Sequence, residues 1–184
     1  SKYLEQFNEL YPKQEEPEAE AETVGKTVFT PYVTSSLEIE LVNPLHQALE
    51  VDMASWLSQI VREEGPIHRQ ILIWRLCASA GIAKAGNRIQ DRIQEVLSKM
   101  AQSGEILSEG EYFLIKGQGY SPKNRSELPN QERNPDFVSN HELLETQKAL
   151  GAPGADASIW RGLGYARVTA AMMERLEGLE DSKQ

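Results

Sequence analysis

The stretch G-N-R-I-Q-D-R-I-Q-E-V-L-S-K-M-A-Q-S-G-E-I-L-S-E-G-E-Y-F-L-I-K, residues 86–116, decides the fold. Ile89, Ile93, Val96, Leu97 and Met100 fall at i, i+4, i+7, i+8 and i+11. That is one continuous apolar stripe, and it predicts a helix from about Gly86 to Gln102. Gly104 closes the helix. Glu105–Ser108 and Tyr112–Ile115 then read as two strands flanking the short turn Glu109-Gly110-Glu111.

Two more helices precede this one. Met53, Trp56, Leu57, Ile60 and Val61 recur at helical spacing behind Asp52, a plausible N-cap, until Gly65-Pro66 stops the run. A second helix is predicted from about His68 to Ala80, with Ile71, Leu72, Trp74, Leu76 and Cys77 apolar and Gly81 at its end. Three short helices, the last running straight into a hairpin, is the order of a winged helix-turn-helix. The expected class is therefore mainly α with a small β-hairpin: a winged helix-turn-helix over 51–116 plus a C-terminal helical extension.

The flanks read differently. Tyr11–Thr23 is proline-punctuated and glutamate-rich, so residues 1–23 are expected to form an acidic, disordered linker, a solvated helix being the alternative. Residues 24–50 read as an extended arm, with a period-2 alternation at Leu37-Glu38-Ile39-Glu40-Leu41. Residues 117–137 read as a polar linker. Over 138–184, Ser139 and Glu142 match a capping box that opens a helix to about Leu150, and helical pieces follow at 157–163 and 168–179. Gly164-Tyr165-Ala166-Arg167 echoes Gly81-Ile82-Ala83-Lys84, and the register continues through Arg92 and Arg175. A degenerate second helix-turn-helix and a chance likeness of two amphipathic helices both account for the echo.

Composition narrows the functional classes. No apolar run is long enough to span a membrane, no signal peptide opens the chain, and the single cysteine, Cys77, fits a reducing cytoplasm. The absent initiator Met suggests a piece of a longer chain, removal by processing being the alternative. Gly25-Lys26-Thr27 lacks the first glycine of a phosphate loop. His46, His68 and His141 lie in separate segments without cysteine at ligand spacing, so neither metal nor cofactor is expected. Nothing supplies a nucleophile with its base, so the chain is not expected to be an enzyme. His68 is expected to cap the second helix, and Trp56, Trp74 and Cys77 to be core.

Net charge is −9, which argues against indiscriminate nucleic-acid binding. The charge is uneven, however. Residues 66–103 carry six basic residues against Asp91 and Glu95. In a helix-turn-helix the third helix meets base edges with its N-terminal residues, while the preceding helix and turn meet phosphates. That arrangement nominates Arg69, Lys84, Asn87, Arg88, Arg92 and Lys99 as DNA-binding residues; ordinary solubilising charge is the alternative for each, and Asp91 opposes phosphate contact.

Ile60-Val61-Arg62-Glu63-Glu64-Gly65-Pro66-Ile67-His68, followed by Arg75-Leu76 and Gly86-Asn87-Arg88-Ile89, resembles the uncharacterised domain at the C-termini of large bacterial superfamily-one DNA helicase-like proteins. The likeness covers roughly residues 32–116. It implies an accessory domain of a DNA-processing ATPase, not its motor, with DNA and the motor domains of the parent as partners. One departure stands out: the wing carries Glu105, Glu109 and Glu111, where a basic wing would grip phosphate. Two functions follow. One is DNA binding through the third helix; the other is protein or intramolecular docking.

Overall fold

The structure is a computed structural model that describes residues 28–183. The acidic linker expected over 1–23 and the Gly25-Lys26-Thr27 triplet lie outside the described residues. Within them the chain is mainly helical with a small antiparallel sheet. No helix among these residues is long and apolar enough to cross a membrane.

The first unit is built from α1 (Glu50–Glu64), β2 (Ile67–His68), α2 (Arg69–Ser79), α3 (Asn87–Ser103), β3 (Leu107–Glu109) and β4 (Tyr112–Leu114). Its sheet runs β2-β4-β3, antiparallel throughout, so the hairpin gains a third strand in front of α2. Two residues are too few for periodicity to announce, and β2 was not expected. The predicted stripe of α3 is buried at Ile93, Val96, Leu97 and Met100. These residues close a single core with Met53, Leu57, Ile60 and Val61 of α1 and with Ile71, Leu72, Ile73, Leu76 and Cys77 of α2. Each such side chain, once withdrawn from water, contributes about 1.5–3 kcal/mol.

Local signals account for most helix ends. His68 Nδ1 accepts from the Gln70 amide at 3.0 Å and so caps α2, as its position suggested. Asp52 is not the cap of α1: the helix begins two residues earlier, behind Leu49, and Glu50 and Asp52 sit together in its first turn. Their carboxylates favour the positive end of the helix dipole from there. Trp56 and Trp74 are half-buried at the core's edge rather than inside it.

The arm is extended through Leu41, but not to Glu50 as expected: Leu45–Gln47 form a 3-10 turn behind Pro44, and Glu50 already opens α1. Thr30–Pro31 (β1) pairs in parallel with Lys123–Asn124 (β5). Leu37, Ile39 and Leu41 pack on the core while Glu38 and Glu40 are exposed, the alternation seen in the sequence. The C-terminal unit comprises α4 (Asn140–Leu150), α5 (Ala157–Gly162) and α6 (Ala170–Asp181). The Ser139–Glu142 capping box is formed in full. Trp160, which the sequence did not place, is wholly buried at the centre of a second core with Leu143, Ile159, Leu163 and Met172.

Residues 117–137 join the units, and they are more than a polar tether. They supply β5, a 3-10 turn at Asn130–Glu132 and another at Pro135–Phe137. They also bury Arg125 and Glu132, and they lay Phe137 against His68 and Trp74 at ring separations of 4.8 and 5.9 Å.

Candidate nucleic-acid interface

The six nominated residues fall into two groups. Lys84 lies in the turn between α2 and α3, and Asn87 and Arg88 open α3. All three are exposed, and among the described residues their side chains make no hydrogen bond or ion pair. Gly86 precedes the helix without a side-chain cap, so the first-turn amides of α3 stay open to solvent or to an acceptor.

The other three are engaged within the chain. Arg69 donates through Nε to Glu111 of the hairpin turn at 3.0 Å. Arg92 pairs with Glu95 at 3.0 Å and reaches the Ala48 carbonyl. Lys99 bridges Glu50 of α1 at 2.6 Å and Glu95 at 3.3 Å. Hydrogen bonds from Arg92 and Lys99 hold the Glu95 carboxyl below its ordinary range, and Glu50 and Glu95 hold the Lys99 ammonium above its own. These are solvent-exposed pairs that salt screens, so they define direction more than stability. Their consequence is electrostatic. Arg88, Arg92 and Lys99 do share a flank, but Glu95 and Glu50 neutralise it beyond the first turn.

The hairpin adds no positive charge near the tip. Glu105, Glu109 and Glu111 are exposed, as is Lys116 at the far end. A groove of about 260 Å³ separates the hairpin from α3, lined by Arg69, Gln94, Ser98, Ser108 and Glu111 among others. A larger groove, about 850 Å³, runs between α1 and α3 past Val51, Ala54, Ser58, Arg62 and Lys99. Leu49 and Val51 stand exposed at the start of α1, at 67% and 72%.

One basic residue counted with α2 in the sequence is not on this surface. Arg75 is 11% exposed and inserts between two carboxylates. Its Nε donates to both oxygens of Glu64 at 2.9 and 2.8 Å, and its two terminal nitrogens meet Glu132 at 3.0 and 2.8 Å. Glu64 is fully buried and also accepts from the Tyr32 hydroxyl at 2.8 Å and the Ser35 amide at 2.9 Å. Burial opposes the Arg75 charge, but the Glu132 bonds and the Glu64 charge outweigh it and raise its pKa. Burial and the neighbouring Glu64 push the Tyr32 phenol well up.

The same Tyr32 ring lies under the guanidinium of Arg125, 5.2 Å away, and Arg125 donates to the buried carboxylate of Glu142. Both halves of the molecule thus meet on one aromatic ring. Sequence alone carried a signal for part of this. Glu64 continues the apolar stripe of Ile60 and Val61, and Arg75 that of Ile71 and Leu72, and a charge on such a stripe needs a buried partner. Glu132, in a segment read as solvated, had no comparable mark.

A family described as a protein of unknown function (DUF3320) matches residues 44–91, which run from the start of the first unit through α1 and α2 into α3. No curated protein and no solved structure matches the chain.

Proposed function

We propose that this chain is a non-catalytic accessory module of a helicase-like protein, a winged helix-turn-helix that contacts DNA through the α2–α3 turn and the first turn of α3. The helix and strand order α1-β2-α2-α3-β3-β4, with sheet order β2-β4-β3, supports the winged-helix reading. The observation that carries the DNA reading is the exposed trio Lys84, Asn87 and Arg88, without side-chain partners among the described residues, at the end of α3 that meets base edges in helix-turn-helix complexes. Open first-turn amides and the positive end of the helix dipole favour phosphate at the same place.

The contact is narrow. With the wing acidic and Arg69, Arg92 and Lys99 paired, few phosphates are neutralised, so binding is weak, falls with salt along a shallow slope and is little concerned with sequence. Fluorescence anisotropy with duplex and forked DNA at two salt concentrations tests this. Binding at low salt that Lys84→Ala/Arg88→Ala abolishes is expected; no binding at low salt, or indifference to that double substitution, overturns it.

A second reading, docking onto the motor domains of the parent, draws on the acidic wing and on the α1–α3 groove with Leu49 and Val51 exposed beside it. Size-exclusion chromatography with those domains separates the two. Association that Val51→Asp breaks, without DNA binding, selects docking.

A further inference from the structure

We infer that α4–α6 form a second helix-turn-helix on the plan of the first, and that its turn, the equivalent of the exposed DNA-side turn, is occupied by the chain's own connector. The inference rests on the helix-turn-helix reading of α2 and α3, but not on DNA binding.

The likeness lies in the backbone. At the end of α2, Ala80 N donates to Leu76 O, Gly81 N to Ala78 O and Ile82 N to Cys77 O, at 3.1, 3.1 and 2.8 Å. At the end of α5, Leu163 N donates to Ile159 O, Gly164 N to Arg161 O and Tyr165 N to Trp160 O, at 3.2, 3.0 and 3.1 Å. Every donor and acceptor is the counterpart expected from the sequence echo. Both turn glycines have positive φ, 70° and 103°. Both next helices begin after the same interval, with Gln90 N on Gly86 O and Met173 N on Thr169 O. In each unit the first helix packs on both helices of the pair or on their equivalents. The glycine closure alone is common, since Gly104 and Gly151 end their helices with the same two bonds; what sets this pair apart is that closure followed by the next helix at the same interval, in step with the sequence echo.

The two turns differ in what covers them. A Cβ on Gly81 would meet nothing within 4 Å. A Cβ on Gly164 would lie 2.6 Å from the Ser126 amide nitrogen and 2.8 Å from that of Arg125. The Arg125 amide donates to the Leu163 carbonyl at 2.8 Å. The second turn is therefore closed by residues 124–126 of the connector. The arginine in step with Arg92 has likewise changed its task. Arg175 donates to the carbonyls of Pro135 and Val138, and to Asn140 Oδ1, so it fastens the connector's end instead of flanking a basic surface. The second copy works as an internal brace: its turn holds β5, which pairs with β1, and Arg175 holds the Pro135–Phe137 turn, whose ring lies on His68 and Trp74 of the first unit.

Matched substitutions in the full chain, read by amide hydrogen exchange without DNA, test this. Gly81→Ala and Gly164→Ala both strain a left-handed position. Gly164→Ala is expected to speed exchange about tenfold or more at the Arg125, Thr30 and Tyr32 amides, which bond Leu163, Pro122 and Asn124. Gly81→Ala should leave those three unchanged. Equal effects of the two, or none from Gly164→Ala at those sites, overturn the brace. Should Gly164→Ala fail to fold, Arg175→Lys replaces it, because lysine cannot span three acceptors. Faster exchange at Phe137 and Val138 with Met173 unchanged supports the inference, and wild-type rates at Phe137 and Val138 refute it. Absence of DNA binding would sink the proposed function and leave these rates as they are.

Discussion

Arg75 of α2 grips Glu132 of the connector with both terminal guanidinium nitrogens, at 3.0 and 2.8 Å, in a site where neither side chain is more than 11% exposed. The geometry is the planar fork that arginine alone offers a carboxylate. Glu64 takes the remaining Nε, so the three groups leave one net negative charge in a place that water barely reaches, and the Tyr32 hydroxyl and Ser35 amide bond that excess.

Removing the arginine leaves two buried carboxylates facing each other. Arg75→Met is therefore expected to destabilise by about 3–5 kcal/mol, the range for breaking a buried pair. Glu132→Gln keeps the shape and the Glu64 pair, and should cost about 1.5–3 kcal/mol, the worth of hydrogen bonds to a charged group. Urea unfolding at neutral pH measures both. A loss below 1 kcal/mol for Arg75→Met would show that the site admits enough water to screen the carboxylates.

What could be read in advance follows from the range of the interactions. The stripe of α3, the Gly65-Pro66 break, the His68 cap and the Ser139–Glu142 box are local patterns, and each is present in the fold. Strand β2 escaped notice because two residues carry no period, and Trp160 because its partners, Leu143 and Met172, come from other helices. The charge count over 66–103 misled at Arg75, since formal charge does not distinguish a solvated guanidinium from one lodged on an apolar stripe. For Arg92 and Lys99 the neutralising Glu95 stood at i+3 and i−4 in plain view, whereas Glu50 reaches Lys99 only through the packing of α1 on α3.

His68 gives the first unit a pH dependence of known sign. Burial lowers its pKa from the ordinary 6.5, against the pull of Glu111, and its Nδ1 must stay unprotonated to accept the Gln70 amide. A group depressed in the folded state contributes stability that is present above the unfolded pKa and lost as pH falls through the folded one. Denaturant midpoints are thus expected to fall as pH drops below about 6.5. His68→Asn keeps an acceptor at the cap without titrating. Its midpoints should drop less over the same interval, and an unchanged pH dependence would remove His68 as the source.

Glu95 supplies a gain-of-function test of the DNA reading. It holds both Arg92 and Lys99, and lies at an exposed position where its loss disturbs no core. Glu95→Gln should tighten duplex binding at low ionic strength by about twofold and steepen the salt dependence, since Arg92 becomes available to phosphate and one negative charge leaves the flank, while Lys99 keeps its bridge to Glu50. The same substitution should leave the denaturant midpoint unchanged, because salt screens an exposed pair. Weaker or unaltered binding, measured by anisotropy across a salt series, would place the contact away from this flank of α3.

The opening of α4 separates a cap from a buried charge. Ser139 Oγ accepts the Glu142 amide at 3.1 Å, and Glu142 returns a bond from the Ser139 amide at 3.0 Å while also accepting from Arg125. Ser139→Ala removes only the serine half of this capping box and should cost about 1 kcal/mol. Glu142→Ala removes the other half and strands Arg125, which is 4% exposed with burial opposing a charge that Glu142 now sustains. Its cost should be about 3–5 kcal/mol, several times that of the cap. Because Arg125 stacks on Tyr32, whose hydroxyl bonds Glu64, the Glu142 variant should also speed amide exchange at Ser35 in the first unit, and the Ser139 variant should not. Equal losses in the two variants, with exchange at Ser35 unmoved, would show that Glu142 serves the helix end alone and that the two units are joined elsewhere.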